Sequence, residues 1–144
     1  MISSDQSTAP AVNIRRSLIR TFHPRRGRLS SRHRWALSHL WPRYGVEFPD
    51  GVLEPADVFG RRAPVVLEIG SGMGDATAAI AAADPGRDYL AVEVHTPGVA
   101  NLLALIHDAR LTNVRVVHGD ALVLLPHLPP ERFDAIFAFF PDPW

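Results

Sequence analysis

An apolar stretch that breaks into regularly spaced glycines constrains this chain more than any other feature. Residues 65–69 are apolar except for Glu68, and Gly70, Gly72 and Gly74 follow at every second position. This pattern predicts a strand that is buried on both faces, and the glycines allow a sharp turn with close approach of the backbone to a ligand. A helix is expected next, so that its first N–H groups point at whatever lies above the strand. The sequence therefore predicts a ligand-binding strand–turn–helix unit.

The spacing of the glycines and the position of one acid narrow the choice of ligand. The predicted helix covers residues 76–83, and the dinucleotide fingerprint would require a glycine at position 75, where the chain has Asp75. Glu68 lies inside the strand, just before the turn. A carboxylate there would repel a pyrophosphate but can attract an amino group, so a cationic cofactor that carries an amino acid is favoured over NAD.

Acidic residues also end the next two apolar segments. The segment 88–94 carries Glu93, nineteen residues after Gly74, where nucleotide-type sites place an acid that binds ribose hydroxyls. The segment 114–117 leads into Asp120. Because parallel strands end at one edge of a sheet, we expect the carboxylates of three strand ends to lie close together.

The remaining elements complete an α/β fold with about four parallel strands and flanking helices. Pro97 is expected to begin a helix, residues 121–128 form another, and residues 133–140 are predicted as the fourth strand. That strand would deliver Asp142, which lies between two prolines, to the carboxyl edge where open sheets bind ligands. The prolines would hold its carboxylate in place, although a plain turn is the alternative.

The charges divide the chain into a basic and an acidic half. Residues 1–45 carry nine arginines against Asp5 alone, residues 46–144 carry six arginines against fourteen acids, and lysine is absent. We predict a disordered tail over 1–13, a basic arm with a helix over 14–45, and a cofactor-binding domain over 46–144. The arm is expected to bind a polyanion. A solvated tail and an organelle transit peptide are the alternatives.

Within the arm, a helix over residues 32–40 is predicted, capped by Ser30 or Ser31 and ended by Pro42. We expect Trp35 and Trp41 to pack the arm on the core rather than to stack on nucleic-acid bases. Residues 45–62 carry several prolines and glycines and are predicted to be irregular.

Length and composition exclude several classes of protein. With 144 residues and 47% apolar side chains, the chain can form one domain with a real core. Without cysteine it has neither disulfides nor thiolate metal sites, and no apolar segment approaches the length of a membrane span. We therefore predict a cytoplasmic monomer that contacts neither metal nor membrane.

The predicted site resembles that of a known enzyme class. The pattern resembles the cofactor site of class I S-adenosylmethionine-dependent methyltransferases, which have a Rossmann-like fold, and its residues are Glu68, Gly70, Gly72, Gly74, Glu93 and Asp120.

Further motifs narrow this resemblance to one family, the bacterial tRNA (guanine-N7)-methyltransferases, over about residues 18–144. The motifs are Arg20-Thr21-Phe22, Arg25-Arg26-Gly27-Arg28, Leu40-Trp41-Pro42-Arg43-Tyr44-Gly45, Glu93-Val94-His95-Thr96-Pro97-Gly98-Val99, Leu111-Thr112-Asn113-Val114-Arg115 and Phe139-Phe140-Pro141-Asp142-Pro143-Trp144.

The resemblance implies transfer of a methyl group from S-adenosylmethionine to N7 of a guanine in the variable loop of tRNA. It implies Asp142 as the catalytic residue. The cofactor contacts that it implies are Glu68, Gly70, Gly72, Gly74, Glu93, Asp120 and Asp142, and the arginines predicted to bind RNA are Arg20, Arg25, Arg26 and Arg28.

One difference from the family lies at the end of the chain. In the family, a basic stretch and further strands follow the Pro-Asp-Pro-Trp motif, whereas this chain stops at Trp144. The expectation is a truncated member with doubtful activity of its own. The alternatives are a remnant that binds cofactor or RNA without turnover, and a methyltransferase for another substrate, against which the basic arm argues.

Overall fold

A computed structural model describes residues 28–138 of the chain, and residues 1–27 and 139–144 lie outside the described part. Five parallel strands form one sheet in the order β1-β4-β3-β2-β5, numbered along the chain. The strands are β1 (Gly45–Val46), β2 (Val65–Ile69), β3 (Asp88–Glu93), β4 (Val114–His118) and β5 (Ala135–Ala138). The α/β fold class predicted from the sequence is confirmed.

Helices connect the strands and cover both faces of the sheet. They are α1 (Ser31–His39), α2 (Trp41–Tyr44), α3 (Pro55–Phe59), α4 (Asp75–Ala83), α5 (Thr96–Asp108) and α6 (Ala121–Leu124), with 3-10 turns at Leu125–His127 and Pro130–Arg132. None of the helices within residues 28–138 is long and apolar enough to cross a bilayer.

Alternating strand residues supply two hydrophobic clusters, one on each face of the sheet. Val66 and Ala91 point to the face that α1, α4 and α5 cover, where Leu102 and Leu103 of α5 are fully buried. The opposite face is covered by α3 and α6, and it buries a second group of side chains that includes Leu67, Leu90, Val92, Val117 and Leu124. Burial on both faces explains why the central strands are almost continuously apolar.

The prediction of about four strands missed β1. Gly45 and Val46 pair in parallel with Val116 and Val117 of β4 and so extend the sheet by one edge strand. Two residues are too few to show a strand periodicity, and they lie in the segment 45–62 that we predicted to be irregular. That segment also contains α3, which Pro55 begins because the first helical turn needs no N–H from it.

The helix assigned to the basic arm belongs to the folded core. Ser30 caps α1 by accepting a hydrogen bond from the backbone N–H of His33 (3.1 Å), as predicted. Ala36 and Leu40 are buried in the cluster that α5 also forms. Pro42 does not end helical structure, because it occupies the first turn of α2.

The two tryptophans predicted to pack the arm on the core are placed differently. Trp41 is partly buried against the cluster that contains Ala36. The Trp35 ring is exposed, stacks on His39 (5.2 Å between centroids) and meets the edge of His107 of α5 (5.9 Å). Both therefore contact protein, Trp41 at the core and Trp35 at the surface.

Two other boundaries differ from the prediction. The helix predicted over 121–128 is α-helical only for Ala121–Leu124 and continues as the 3-10 turn Leu125–His127, because Pro126 has no N–H for a further helical bond. Of the strand predicted over 133–140, residues Ala135–Ala138 form β5, residues 133 and 134 precede it, and residues 139 and 140 lie outside the described part.

Candidate active site

The glycines join β2 to α4 at the carboxyl edge of the sheet in a left-handed backbone conformation. The φ angles of Gly70, Gly72 and Gly74 are +75°, +61° and +85°, which other residues adopt only with strain. A Cβ atom at Gly70 or Gly72 would meet nothing within 4 Å, whereas one at Gly74 would lie 2.6 Å from Cβ of Leu102. Gly74 is therefore needed for packing against α5, and the other two leave open space above the turn.

Glu93 ends β3 and fixes the glycine turn to the next strand. Its Oε2 accepts the backbone N–H of Gly72 (2.6 Å), and its Oε1 accepts those of Val94 (2.9 Å) and His95 (2.8 Å). The residue is only 6% exposed. Three N–H donors around one carboxylate hold it in one orientation.

Glu68 lies beneath the turn, one strand away. Its side chain is 3% exposed, and Oε2 accepts a hydrogen bond from the Thr77 hydroxyl of α4 (2.6 Å). Burial raises the pKa of Glu68 above the ordinary 4.5, the Thr77 bond opposes that shift, and the negative charge of Glu93 adds to it. Two buried carboxylates thus share the site, and within residues 28–138 Glu93 is held by three backbone N–H groups whereas Glu68 is bound by the Thr77 hydroxyl.

Asp120 follows β4 and caps α6. Its Oδ1 accepts the backbone N–H of Leu122 (2.8 Å). The preceding residue, Gly119, donates its N–H to the backbone carbonyl of Glu93 (2.9 Å), which joins the ends of β3 and β4. Beside this junction the Thr96 hydroxyl lies 3.2 Å from Nε2 of His118.

The structure thus brings together six of the predicted site residues at the carboxyl edge, and these are Glu68, Gly70, Gly72, Gly74, Glu93 and Asp120. Arg28 is exposed and precedes α1, whose first turn lies beside the C-terminal end of α5, where Arg32 pairs with Asp108 (2.7 Å). Arg28 is therefore not among the residues at the carboxyl edge. Asp142, Arg20, Arg25 and Arg26 lie outside the described residues.

Three further residues of the site were not predicted from the sequence. Thr77 binds Glu68, and Asn101 of α5 donates from Nδ2 to the carbonyl of Met73 in the turn (2.6 Å). The hydroxyl of Ser71 is buried without a hydrogen-bond partner within the described part. A lone threonine among the alanines of α4 was the available signal for Thr77, whereas Asn101 and Ser71 carry none.

Comparison with known proteins identifies relatives of the chain. A family model described as "Putative methyltransferase" matches residues 62–144. A tRNA (guanine-N(7)-)-methyltransferase of Streptomyces avermitilis is 50% identical over 127 residues, which are 88% of this chain and 44% of the relative. The corresponding protein of Nitrosospira multiformis is 51% identical over 88% of this chain and 56% of its own length. The corresponding protein of Hydrogenovibrio crunogenus is 44% identical over 98% of this chain and 59% of its own length.

The chain therefore spans about half the length of the curated relatives it matches. Among solved structures, it is similar to Haemonchus contortus phosphoethanolamine N-methyltransferase 2, with 24% identity and a TM-score of 0.45 over 73% of this chain and 20% of that chain. The resemblance inferred from the motifs is confirmed by the curated relatives, and the chain belongs to the methyltransferase family that includes the tRNA (guanine-N7)-methyltransferases.

Proposed function

We propose that this protein transfers a methyl group from S-adenosylmethionine to N7 of a guanine in the variable loop of tRNA. The observation that carries the proposal is the hydrogen bond that the backbone N–H of Gly72 in the glycine turn donates to the carboxylate of Glu93. The space next to Gly70 in the same turn is open. The relatives' names supply the substrate.

The residues at the carboxyl edge fit such a cofactor. Gly70 and Gly72 leave room for a ligand to approach the backbone. The buried Ser71 hydroxyl has no hydrogen-bond partner among the described residues and could bind a polar group of the ligand. Glu68 and Glu93 supply negative charge opposite a molecule that carries a sulfonium and an ammonium group. We assign ribose hydroxyls to Glu93, the adenine edge to Asp120, and the side of the ammonium group to Glu68.

The chemistry requires positioning more than proton transfer. When bound, the cofactor offers an electrophilic methyl group, which guanine N7 can accept through its in-plane lone pair without first losing a proton. No strong general base is needed, so catalysis depends on alignment and on electrostatic support of a ring that becomes positive. We assign that support to Asp142, whose carboxylate can accept from guanine N–H groups.

The test is transfer of labelled methyl to tRNA, with 7-methylguanine located by borohydride reduction and aniline cleavage. We expect the protein to methylate a guanine of the variable loop, and Asp142→Asn to remove most of the activity while S-adenosylhomocysteine still binds. The matched control is Asp108→Asn, an exposed acid that pairs with Arg32 on the surface. Cofactor binding without methyl transfer by the wild-type protein would instead favour a noncatalytic binder, and full activity of Asp142→Asn would refute the assigned role.

We also propose that the arginines Arg20, Arg25, Arg26 and Arg28 bind the phosphates of tRNA. Each phosphate neutralised lowers the slope of log K against log salt by about 0.7–0.9. Replacing all four by glutamine should therefore flatten that slope by about 3, whereas Arg62→Gln and Arg110→Gln, at exposed positions of the folded domain, should not change it. Equal slopes for the wild type and the fourfold variant would show that the arm is only a solvated tail.

A further inference from the structure

Large apolar side chains remain exposed around the acids of the carboxyl edge. Phe48 is 36% exposed, Met73 of the glycine turn 42%, and Leu122, two residues after Asp120, 49%. Ligand sites for flat organic rings combine a few fixed polar groups with apolar walls, so this combination is the expected one for a heteroaromatic ligand.

Phe48 reaches this edge through β1. Because β1 is parallel to β4, the residues that follow Val46 lie beside those that follow Val117. The Phe48 ring rests on Gly119, where it occupies the position that a Cβ atom would take. Gly119 directly precedes Asp120, so the ring lies next to the acid assigned to the adenine edge.

The segment that carries Phe48 is held by Trp41. The Trp41 ring packs on Gly45 in the space that a Cβ would need, and its Nε1 donates to Oε1 of Glu47 (2.5 Å). These contacts fix the chain at the first residue of β1 and at the residue that follows the strand. The position of the Phe48 ring is therefore set by the protein before any ligand arrives, which reduces the entropy lost on binding.

We propose that Phe48 and Leu122 form the apolar wall for the adenine ring of the cofactor. Phe48 packs on Gly119, and Leu122 follows Asp120 by two residues. The inference rests on the proposed function, since it assumes a cofactor that contains adenosine. Asp120 supplies the polar contact to the ring edge, and the two apolar side chains exclude water from its faces. No motif of the sequence pointed to Phe48, because its role depends on the pairing of β1 with β4.

The experiment measures binding of adenosine and of S-adenosylhomocysteine by calorimetry. Stacking of a base on an aromatic side chain contributes enough that Phe48→Ala should weaken both ligands by a similar factor of about five or more. Phe48→Tyr should bind almost like the wild type, and Leu122→Ala should weaken both ligands to a smaller extent. Val52→Ala is the control, because Val52 lies in the same segment and is 71% exposed.

A second variant displaces the ring without removing it. A methyl group at Gly119 would overlap Phe48, so Gly119→Ala should push the ring away and weaken adenosine. In the Phe48→Ala background the overlap is gone, and the same change should have little further effect. Additive effects of the two substitutions would mean that the ring does not act through this contact.

The outcomes separate failure of the wall from failure of the proposed function. If the wild type binds neither ligand, the cofactor assignment falls and the wall with it. If the wild type binds both and Glu93→Gln binds neither well, but Phe48→Ala and Leu122→Ala bind like the wild type, only the wall is refuted. If Phe48→Ala alters tRNA binding alone, the ring contacts nucleic acid and the proposal is overturned. Should Phe48→Ala unfold, Gly119→Ala, which displaces the ring, and the exposed Leu122→Ala decide the question.

Discussion

The two ends of β3 each bury one acid, and the protein treats these acids differently. Asp88 begins the strand at the amino edge with 1% of its surface exposed, and Arg61 donates to its Oδ1 from Nε (3.0 Å) and Nη2 (2.6 Å). Glu93 ends the strand at the carboxyl edge and, among the described residues, accepts from the backbone N–H groups of Gly72, Val94 and His95. Within residues 28–138, neither Glu93 nor the neighbouring Glu68 forms an ion pair.

This difference suits the proposed function, in which one end of the strand serves stability and the other serves ligand binding. At the amino edge, Arg61 offsets the charge of Asp88. Backbone N–H groups hold Glu93 in place without cancelling its charge, and the negative field of the carboxyl edge remains for a cationic ligand. The variants below test this division, from the largest expected effect to the smallest.

The largest effect is expected at Gly74, which connects the glycine turn to the core. Gly74→Ala combines a side chain at φ +85° with overlap of the Leu102 side chain. Strain of about 1–2 kcal/mol and overpacking of about 1–3 kcal/mol should together lower the free energy of unfolding by about 2–5 kcal/mol. Urea denaturation measures the loss. Gly72→Ala, with φ +61° and open space around it, should show the strain alone, and equal losses would contradict the packing role of Gly74.

Glu93 is expected to have the next largest effect, on affinity. Glu93→Gln places an NH₂ group near three N–H donors and removes the charge, so the affinity for S-adenosylhomocysteine should fall by about 1.5–3 kcal/mol, about ten-fold or more. Calorimetry with adenosine and 2′,3′-dideoxyadenosine checks the reason. The wild type should prefer adenosine, and the variant should lose that preference. Glu131→Gln, an exposed acid, is the control.

At the amino edge, Arg61→Met should affect stability and leave ligand binding unchanged. The buried carboxylate of Asp88 would lose both guanidinium donors, while its Oδ2 already has no partner within the described residues. Because Arg61 itself is 43% exposed, water replaces part of the interaction, and we expect a loss of about 1–2 kcal/mol, or about 3–8 °C in Tm. Arg62→Met should change Tm little. A weaker affinity for adenosine in Arg61→Met would contradict the assignment of stability to the amino edge and of binding to the carboxyl edge.

Much of this arrangement could be predicted from the sequence, because each strand and the site residue near its end are close together in the chain. The strands β2, β3 and β4 are strongly apolar, and each leads directly into an acid or a glycine turn, so Glu68, Glu93 and Asp120 could be placed at one edge. The strand β1 could not be predicted, since its two residues acquire meaning only from pairing with β4. Phe48 was missed for the same reason, because its contact with Gly119 depends on how β1 packs on the sheet. Thr77 stands out among the alanines of α4, but its bond to Glu68 depends on how α4 packs on the sheet.

The smallest effect near neutral pH is expected at Glu68, and it has a characteristic pH dependence. Burial and the charge of Glu93 raise the pKa of Glu68 in the folded protein above the ordinary 4.5, and the Thr77 hydroxyl opposes the shift. Below pH 4.5 the carboxyl is protonated in both the folded and the unfolded protein. As pH rises through the raised pKa, the folded state has to hold a buried charge, so the stability that the protonated group contributes is lost.

Glu68→Gln imitates the protonated carboxyl at every pH. The Tm of this variant should therefore match that of the wild type near pH 4 and exceed it increasingly as pH rises towards 8. Thr77→Val removes the hydroxyl that donates to the carboxylate, so its Tm should fall below that of the wild type mainly at the upper end of the range. Parallel Tm curves for wild type and Glu68→Gln from pH 4 to 8 would mean that Glu68 titrates alike in both states. If Glu68→Gln gains stability at high pH and also binds S-adenosylhomocysteine more weakly, the buried charge that destabilises the fold is the one that attracts the ligand.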